Sequence, residues 1–434
     1  MTELCRLSAV TLSAMIQSGD CSVMEVVQAC CDRIEATDQA VKGFVHFSRS
    51  AAVEQAKQLD STGQKGAMHG IPIAIKDTID VAGFVCSWGS PIYARRVPVH
   101  DATMVQSLRQ AGAVIIGTTV STEFAIAHAG PTRNPHDLTR TPGGSSSGSG
   151  AVVAAHMVPI AVGTQTLGSI VRPSTYCGIY GYKPSIGAIS TAGVMPISPI
   201  FDTVGPMARC LDDIELFNTV FMSPGNEWAD LSRSRQTAKN APILQINGPY
   251  ADRIQSETAV ALHQAATALR AAGCRLTSHD LPPRFSGLTE CFETIVFRDI
   301  SIVRGRDFDE HGSQMSDRFR EIVSRGRTVT ETSYRAALKE RQFYLEYLDS
   351  ILGDNGVVLA PATDGVAPPY YELTGDQKIQ SLYTVVGYPA LAVPCPTIGG
   401  LPIGIQLASK RNHDASILAT ARIIEAAFAE GNVG

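Results

Sequence analysis

The chain has 434 residues, 44% hydrophobic and 18% charged, with a formal net charge of -5. That apolar fraction supplies a real core and excludes intrinsic disorder as the main state. The acidic balance argues against a generic nucleic-acid binder, and no run reaches the roughly 18 apolar residues of a membrane helix.

The length fits two or three domains or one large α/β unit. In the N-terminal segment Arg6 is the one early basic residue, and Thr11 and Ser13 interrupt the apolar stretch behind it. This does not read as a secretory signal, and the expected location is cytoplasmic. Ten scattered cysteines, with no C-x-x-C and no zinc spacing, read as buried free thiols in a reducing compartment.

The first 62 residues read as helices. Ser22 and Glu25 form a capping-box pattern, after which Val26, Val27, Cys30, Cys31 and Ile34 recur at helical spacing. Gly63–Gly70 stops that pattern. Ile71–Ile75 is a short apolar run of β type, followed at once by Lys76-Asp77. A charge at the end of a buried strand is the first hint of a site.

Met104, Val105 and Leu108 mark a helix, Ala111-Gly112 its stop, and Ala113–Ile116 a strand. Residues 130–150, rich in Pro, Gly and Ser, read as loop. A helix is expected over Ala151–Val158, and a strand over Ile160–Val162 running into Gly163. Residues 226–240 are polar and irregular, as at a surface crossing. Residues 258–272 form an Ala- and Leu-rich helical pattern with Gly273 placed as its C-cap. The charged stretch 303–352 reads as long helices, and Val357–Pro361 as another strand. Alternating helices and short strands predict a layered α/β fold.

Two Gly/Ser clusters stand out. Thr141–Gly150 could be a flexible linker, but foldable apolar sequence follows it closely. It lacks the Lys of a P-loop. Gly144-Ser145-Ser146-Ser147-Gly148 formally fits G-x-S-x-G, yet that elbow should follow a buried strand, and Arg133–Pro142 is polar and Pro-interrupted. The histidines such an elbow would need (His279, His311, His413) have no distinctive context. The second cluster, Gly163–Pro173, leaves a strand, and its small residues can aim several backbone N–H groups at one spot. Ser169 lies at its end, 24 residues after Ser145.

Lys76 in Gly70–Asp77, the Gly143–Ser149 stretch and the Thr164–Pro173 stretch together resemble the three landmarks of the amidase signature family. Thr122–Ala125, Gly181–Pro184, Asp202–Arg209 and Gly400–Gln406 fit the same pattern. The resemblance covers most of the chain and is densest over 65–210. It implies one α/β/α layered domain over 1–434 around a central mixed β-sheet, with the N-terminal helical segment at 1–62.

It also implies a Ser–cis-Ser–Lys triad: Ser169 as nucleophile, Ser145 as bridging serine after a cis Gly144–Ser145 bond, and Lys76 as base. The oxyanion hole would be formed by N–H groups of Thr166, Leu167, Gly168 and Ser169. A serine needs an adjacent base, and burial can bring a lysine into that role. The resemblance implies no metal and no cofactor.

Where the family usually has Asp this chain has Gln165, and Leu167 stands where Gly is common. Arg172, three residues after Ser169, is similar to the malonamidase-like branch, whose substrates carry a carboxylate beside the amide. Arg172 and Gly144 are therefore candidate substrate-binding residues. The competing role for Arg172 is to pair with a nearby Asp or to bond loop carbonyls.

Asp77 and Asp202 read as loop-organising acceptors, Lys183 as a turn anchor, and Cys177 and Cys395 as core thiols. Tyr383 and Tyr388 are placed near the pocket, and Trp88 and Tyr93 on its acyl side. The expectation is an amidohydrolase acting on a small amide, with no nucleic acid or membrane partner and with a homodimer left open. The alternative is the glutaminase (A-type) subunit of a tRNA-dependent amidotransferase.

Overall fold

The computed structural model describes residues 3–63, 66–126, 128–222, 241–353, 355–370 and 373–430. The polar stretch at 226–240 lies outside the described residues. Along the chain the strands are β1 (Phe44–Phe47), β2 (Pro72–Lys76), β3 (Val114–Thr119), β4 (Ile160–Gln165), β5 (Tyr180–Lys183), β6 (Thr203–Ala208), β7 (Ile243–Gln245), β8 (Leu276–Ser278), β9 (Val357–Pro361), β10 (Ala390–Ile398) and β11 (Leu401–Ser409). They form one 11-stranded sheet in the order β1-β3-β2-β4-β6-β5-β10-β11-β9-β7-β8. The sheet is mixed: β3, β2 and β4 run parallel, as do β9, β7 and β8, while the strands between them pair antiparallel.

The helices are α1 (Ala9–Ser18), α2 (Val23–Val41), α3 (Arg49–Thr62), α4 (Thr103–Gln110), α5 (Ser147–Ala154), α6 (Val171–Tyr176), α7 (Leu211–Thr219), α8 (Ser256–Ala271), α9 (Leu288–Val303), α10 (Gly305–His311), α11 (Asp317–Thr328), α12 (Glu331–Leu352), α13 (Ser381–Val385) and α14 (Asp414–Ala429). Period-2 alternation sorts the strand side chains between two faces. Ile73, Ile75, Ile160, Val162, Leu359 and Leu391 pack with α1, α4, α7, α8 and α14. On the opposite face Ala74, Ile116 and Ala161 meet α2, α3 and α5, while Val358 and Ala360 meet α9, α11 and α12. Between those groups Val171 of α6 packs with Ala362, Ala390 and Ala392, whose small side chains let α6 lie close to the sheet.

Local chemistry explains the element ends. Ser22 accepts from the Glu25 N–H while Glu25 reaches back to the Ser22 N–H, completing the capping box. Gly273, with φ +86°, follows α8; its N–H bonds the Arg270 carbonyl and the Cys274 N–H bonds that of Leu269, a Schellman closure.

Several boundaries differ from the sequence reading; β3, for one, runs on to Thr119, and α5 ends at Ala154. β4 continues through Gly163, Thr164 and Gln165, because it is paired along that length with β6 and buried on both faces, where polar residues still satisfy the ladder. The Gly/Ser stretch is not loop to its end: α5 starts at Ser147, not at 151. Its glycines serve close approach. A Cβ on Gly148 would lie 2.2 Å from the Gly43 carbonyl oxygen and 2.4 Å from the Val120 nitrogen.

Those atoms are backbone and cannot swing aside, so Gly148→Ala should cost about 3 kcal/mol or more, as overpacking does. Gly305→Ala, whose Cβ would find its nearest neighbour at 3.6 Å, should be near neutral. Urea unfolding of both variants checks the contrast.

Candidate active site

Lys76 is the last residue of β2 and is 0% exposed. The register Ile75–Val162 sets it beside Gly163 and Thr164 of β4. Its Nζ donates to Ser145 Oγ and to Thr164 Oγ1, both at 2.8 Å. Burial lowers its pKa from 10.5 to about 7; nearby Asp77 and Asp202 oppose that fall and Arg172 reinforces it.

The Gly144–Ser145 bond is cis, as the resemblance implies. The next residue, Ser146, is the middle residue of the G-x-S-x-G match. It is 0% exposed, and its Oγ donates to the Thr164 carbonyl and accepts from the Thr164 N–H, so it is a brace and not a nucleophile at an elbow. Its own N–H donates to the Ser169 carbonyl at 3.3 Å, which ties the cis-serine segment to the second cluster. The Ser145 carbonyl in turn accepts from the Thr122 N–H.

Ser169 stands just before α6, nearly buried. Gln165 Oε1 accepts from the Ile170 and Val171 N–H groups, at 2.8 and 3.0 Å. Among the described residues the N–H groups of Leu167, Gly168 and Ser169 donate to no protein acceptor. Leu167 stays out of the left-handed region, so its side chain puts no strain on the loop. The Thr166 hydroxyl donates to Asp202 Oδ1 at 2.6 Å.

Arg172 is buried, and its Nη2 donates to the Gly144 carbonyl at 2.5 Å and to Thr374 Oγ1 at 3.1 Å. Nη1 reaches Gln380 Oε1 at 3.4 Å. One of these three acceptors is a loop carbonyl and the other two are side-chain oxygens.

The carboxylates organise loops. Asp77 Oδ2 accepts from Ser87 Oγ and the Gly89 N–H, and Asp202 Oδ2 from the Ile197 and Ser198 N–H groups. Burial raises both to about 6. Lys183 donates to the Pro184 carbonyl at 2.9 Å. All ten cysteines are free thiols, nine of them buried. Tyr383 and Tyr388 sit in the core with α9 and α12. The Trp88 and Tyr93 rings pack at a tilt, centroids 4.5 Å apart, next to the loop that holds Asp77, with Arg96 and Arg304 over the Trp88 ring. Sequence reasoning missed Thr374, Gln380 and Thr384, which reach the site from more than 200 residues away and leave no local pattern.

A buried lysine bonded to a serine, beside a loop with free N–H groups, outlines a serine hydrolase. The chain belongs to the Amidase family, which matches residues 25–418. It is 31% identical to the A subunit of glutamyl-tRNA(Gln) amidotransferase from Carboxydothermus hydrogenoformans, over 98% of this chain and 97% of that one. The native peptide amidase of Stenotrophomonas maltophilia superposes with a TM-score of 0.84 at 27% identity, covering 96% of each chain. The A subunit of the Thermotoga maritima amidotransferase shares the fold, with a TM-score of 0.80 at 24% identity over 97% of this chain and 95% of that one.

These relatives correct one expectation. The expectation of no nucleic-acid partner is overturned by relatives that are subunits of an enzyme named for a tRNA. Among the described residues no helix is long and apolar enough to cross a membrane.

Because the folded state holds Lys76 near pH 7 and the unfolded chain near 10.5, the unfolded chain binds more protons between those values. The Lys76 contribution to stability therefore rises with pH across that window. Lys76→Met should be more stable than wild type at about pH 7, and the difference should shrink toward about pH 10. Denaturant titrations at several pH values read this directly.

Proposed function

We propose that the chain hydrolyses a carboxamide through an acyl-enzyme on Ser169, with Ser145 as proton bridge and Lys76 as base. The observation that carries this reading is the 2.8 Å contact between Lys76 Nζ and the hydroxyl of the cis-linked Ser145. Once deprotonated, the amine keeps a hydrogen for Thr164 and offers its lone pair to the Ser145 proton. Ser145 then takes the proton of Ser169 as Ser169 Oγ attacks the amide carbon. The tetrahedral oxyanion sits against the N–H groups of the Thr166–Ser169 loop. The proton returns by the same route to the leaving nitrogen, and water, activated by the same base, releases the acid.

We further propose that the amide is that of glutamine and that the chain works as an A-type subunit, passing ammonia to a partner enzyme in a cytoplasmic assembly. The 31% identity to amidotransferase A subunits over nearly the whole of both chains, against 27% to the peptide amidase, supports this more than a free small-molecule amidase. The second reading is a malonamidase-like enzyme in which Arg172 meets a substrate carboxylate. It is favoured by the position of that guanidinium on the Gly144 carbonyl, one residue from Ser145.

The test is ammonia release from glutamine, from neutral short amides and from malonamate, by the chain alone and with copurifying subunits. Glutamine turnover that rises with a partner supports the amidotransferase role. Turnover of malonamate by the isolated chain, with preference lost in Arg172→Ala, supports the second reading. In either case Ser169→Ala should lose on the order of 10³-fold or more, and Ser145→Ala should keep a residue of activity because the oxyanion loop survives. Activity should fall as pH drops through about 7, where Lys76 takes up its proton; a profile flat to acid would sink the neutral-amine base.

A further inference from the structure

Gln165 does more than cap α6. Two backbone N–H groups converge on one of its terminal atoms, which makes that atom the oxygen and the other the nitrogen. The nitrogen donates to Thr384 Oγ1 at 3.0 Å, and Thr384 gives its single hydroxyl hydrogen to the Leu167 carbonyl at 2.5 Å. Thr384 thus needs a donor from position 165. An ionised carboxylate there could take the two N–H groups but would leave the threonine oxygen facing another acceptor.

The consequence lies in the peptide planes. In a trans peptide C=O and N–H point in opposite directions. With the Leu167 carbonyl drawn to Thr384, the Gly168 N–H must point to the other side. The Gly168 carbonyl accepts from the Arg172 N–H at 2.9 Å, so the Ser169 N–H likewise points away from α6.

We infer that the Gln165–Thr384–Leu167 hydrogen-bond chain is a positioning device that aims the Gly168 N–H at the developing oxyanion, and that α13, not the signature stretch alone, sets the competence of the hole. This rests on the proposed serine chemistry and adds to it a pair of positioning residues. It also explains why Gln165 stands where the resembling family usually has Asp: in this chain the partner across the loop is a threonine that must be given a hydrogen.

The experiment uses the full chain and a fluorophosphonate, at about pH 9 so that a glutamate at 165 is ionised. Ser169 Oγ attacks phosphorus, fluoride leaves, and the serine proton passes to the base; the phosphoryl oxygen takes the place of the oxyanion. The limiting labelling rate should fall about 10²-fold in Thr384→Val and in Gln165→Glu, the typical cost of one oxyanion donor. The half-saturating concentration should move less than about threefold in each. Gln165→Asp should be as slow. Thr384→Ser, which keeps the hydroxyl, should label within about threefold of wild type, and the Gln165→Glu/Thr384→Val pair should be no slower than the worse single variant, as for one chain of bonds.

Thermal melts confirm folding. If Thr384→Val does not fold, Gln165→Glu decides, since it retains both acceptor bonds to α6. Wild-type rates in Gln165→Glu or Thr384→Val, an effect confined to half-saturation, or a Thr384→Ser as slow as Thr384→Val would overturn the positioning role while leaving the serine chemistry standing. A folded wild type in which Ser169 takes no label overturns both.

Discussion

The site depends on an amine held out of water at the end of a strand. Lys76 has β3 on one side and β4 on the other, and among the described residues its nitrogen bonds to hydroxyls, those of Ser145 and Thr164. Neither hydroxyl can neutralise an ammonium as a carboxylate would. The neighbouring Asp77 and Asp202 are engaged by backbone N–H and hydroxyl groups and soften the desolvation without reversing it. Burial therefore prevails, and a residue that is a cation in water becomes a base near neutrality. The rest of the architecture brings Ser145 to that amine.

The sheet explains how. Ends of parallel strands are where open α/β sheets place their chemistry. Here β2 ends in Lys76 and its parallel neighbour β4 ends in Gln165, which caps the start of α6. The cis-serine segment then enters between them and begins α5. Alanines on β10 and beside β9 let α6, which carries Arg172, settle on the sheet.

Much of this was legible in the sequence for physical reasons. An apolar run closed by Lys76, and a Gly/Ser cluster leaving a strand, are local features with local causes. The capping box at Ser22 and the closure at Gly273 are likewise written in adjacent residues. What escaped the reading was nonlocal. The glycines at 148 and 150 look flexible, yet Gly148 is there because Gly43 and Val120 press against it. Gly163–Gln165 looks like a loop because polar residues in a fully paired strand have no periodic signature. Thr374, Gln380 and Thr384 act through single hydrogen bonds, which no spacing rule reveals. Strands β10 and β11 and helix α9 also passed unread as elements, although Gly400–Gln406 had marked part of the region.

The parallel pairing of β2 with β4 has a bearing on how such a chain can change length over evolutionary time. Side chains alternate across a strand, so losing one residue from β2 would turn Lys76 toward α4 and α7 and away from Ser145. Insertions are thus barred from the central strands and must collect in peripheral connections. The alignment with the Carboxydothermus protein extends over 472 residues although this chain has 434, so the two chains do differ by insertions.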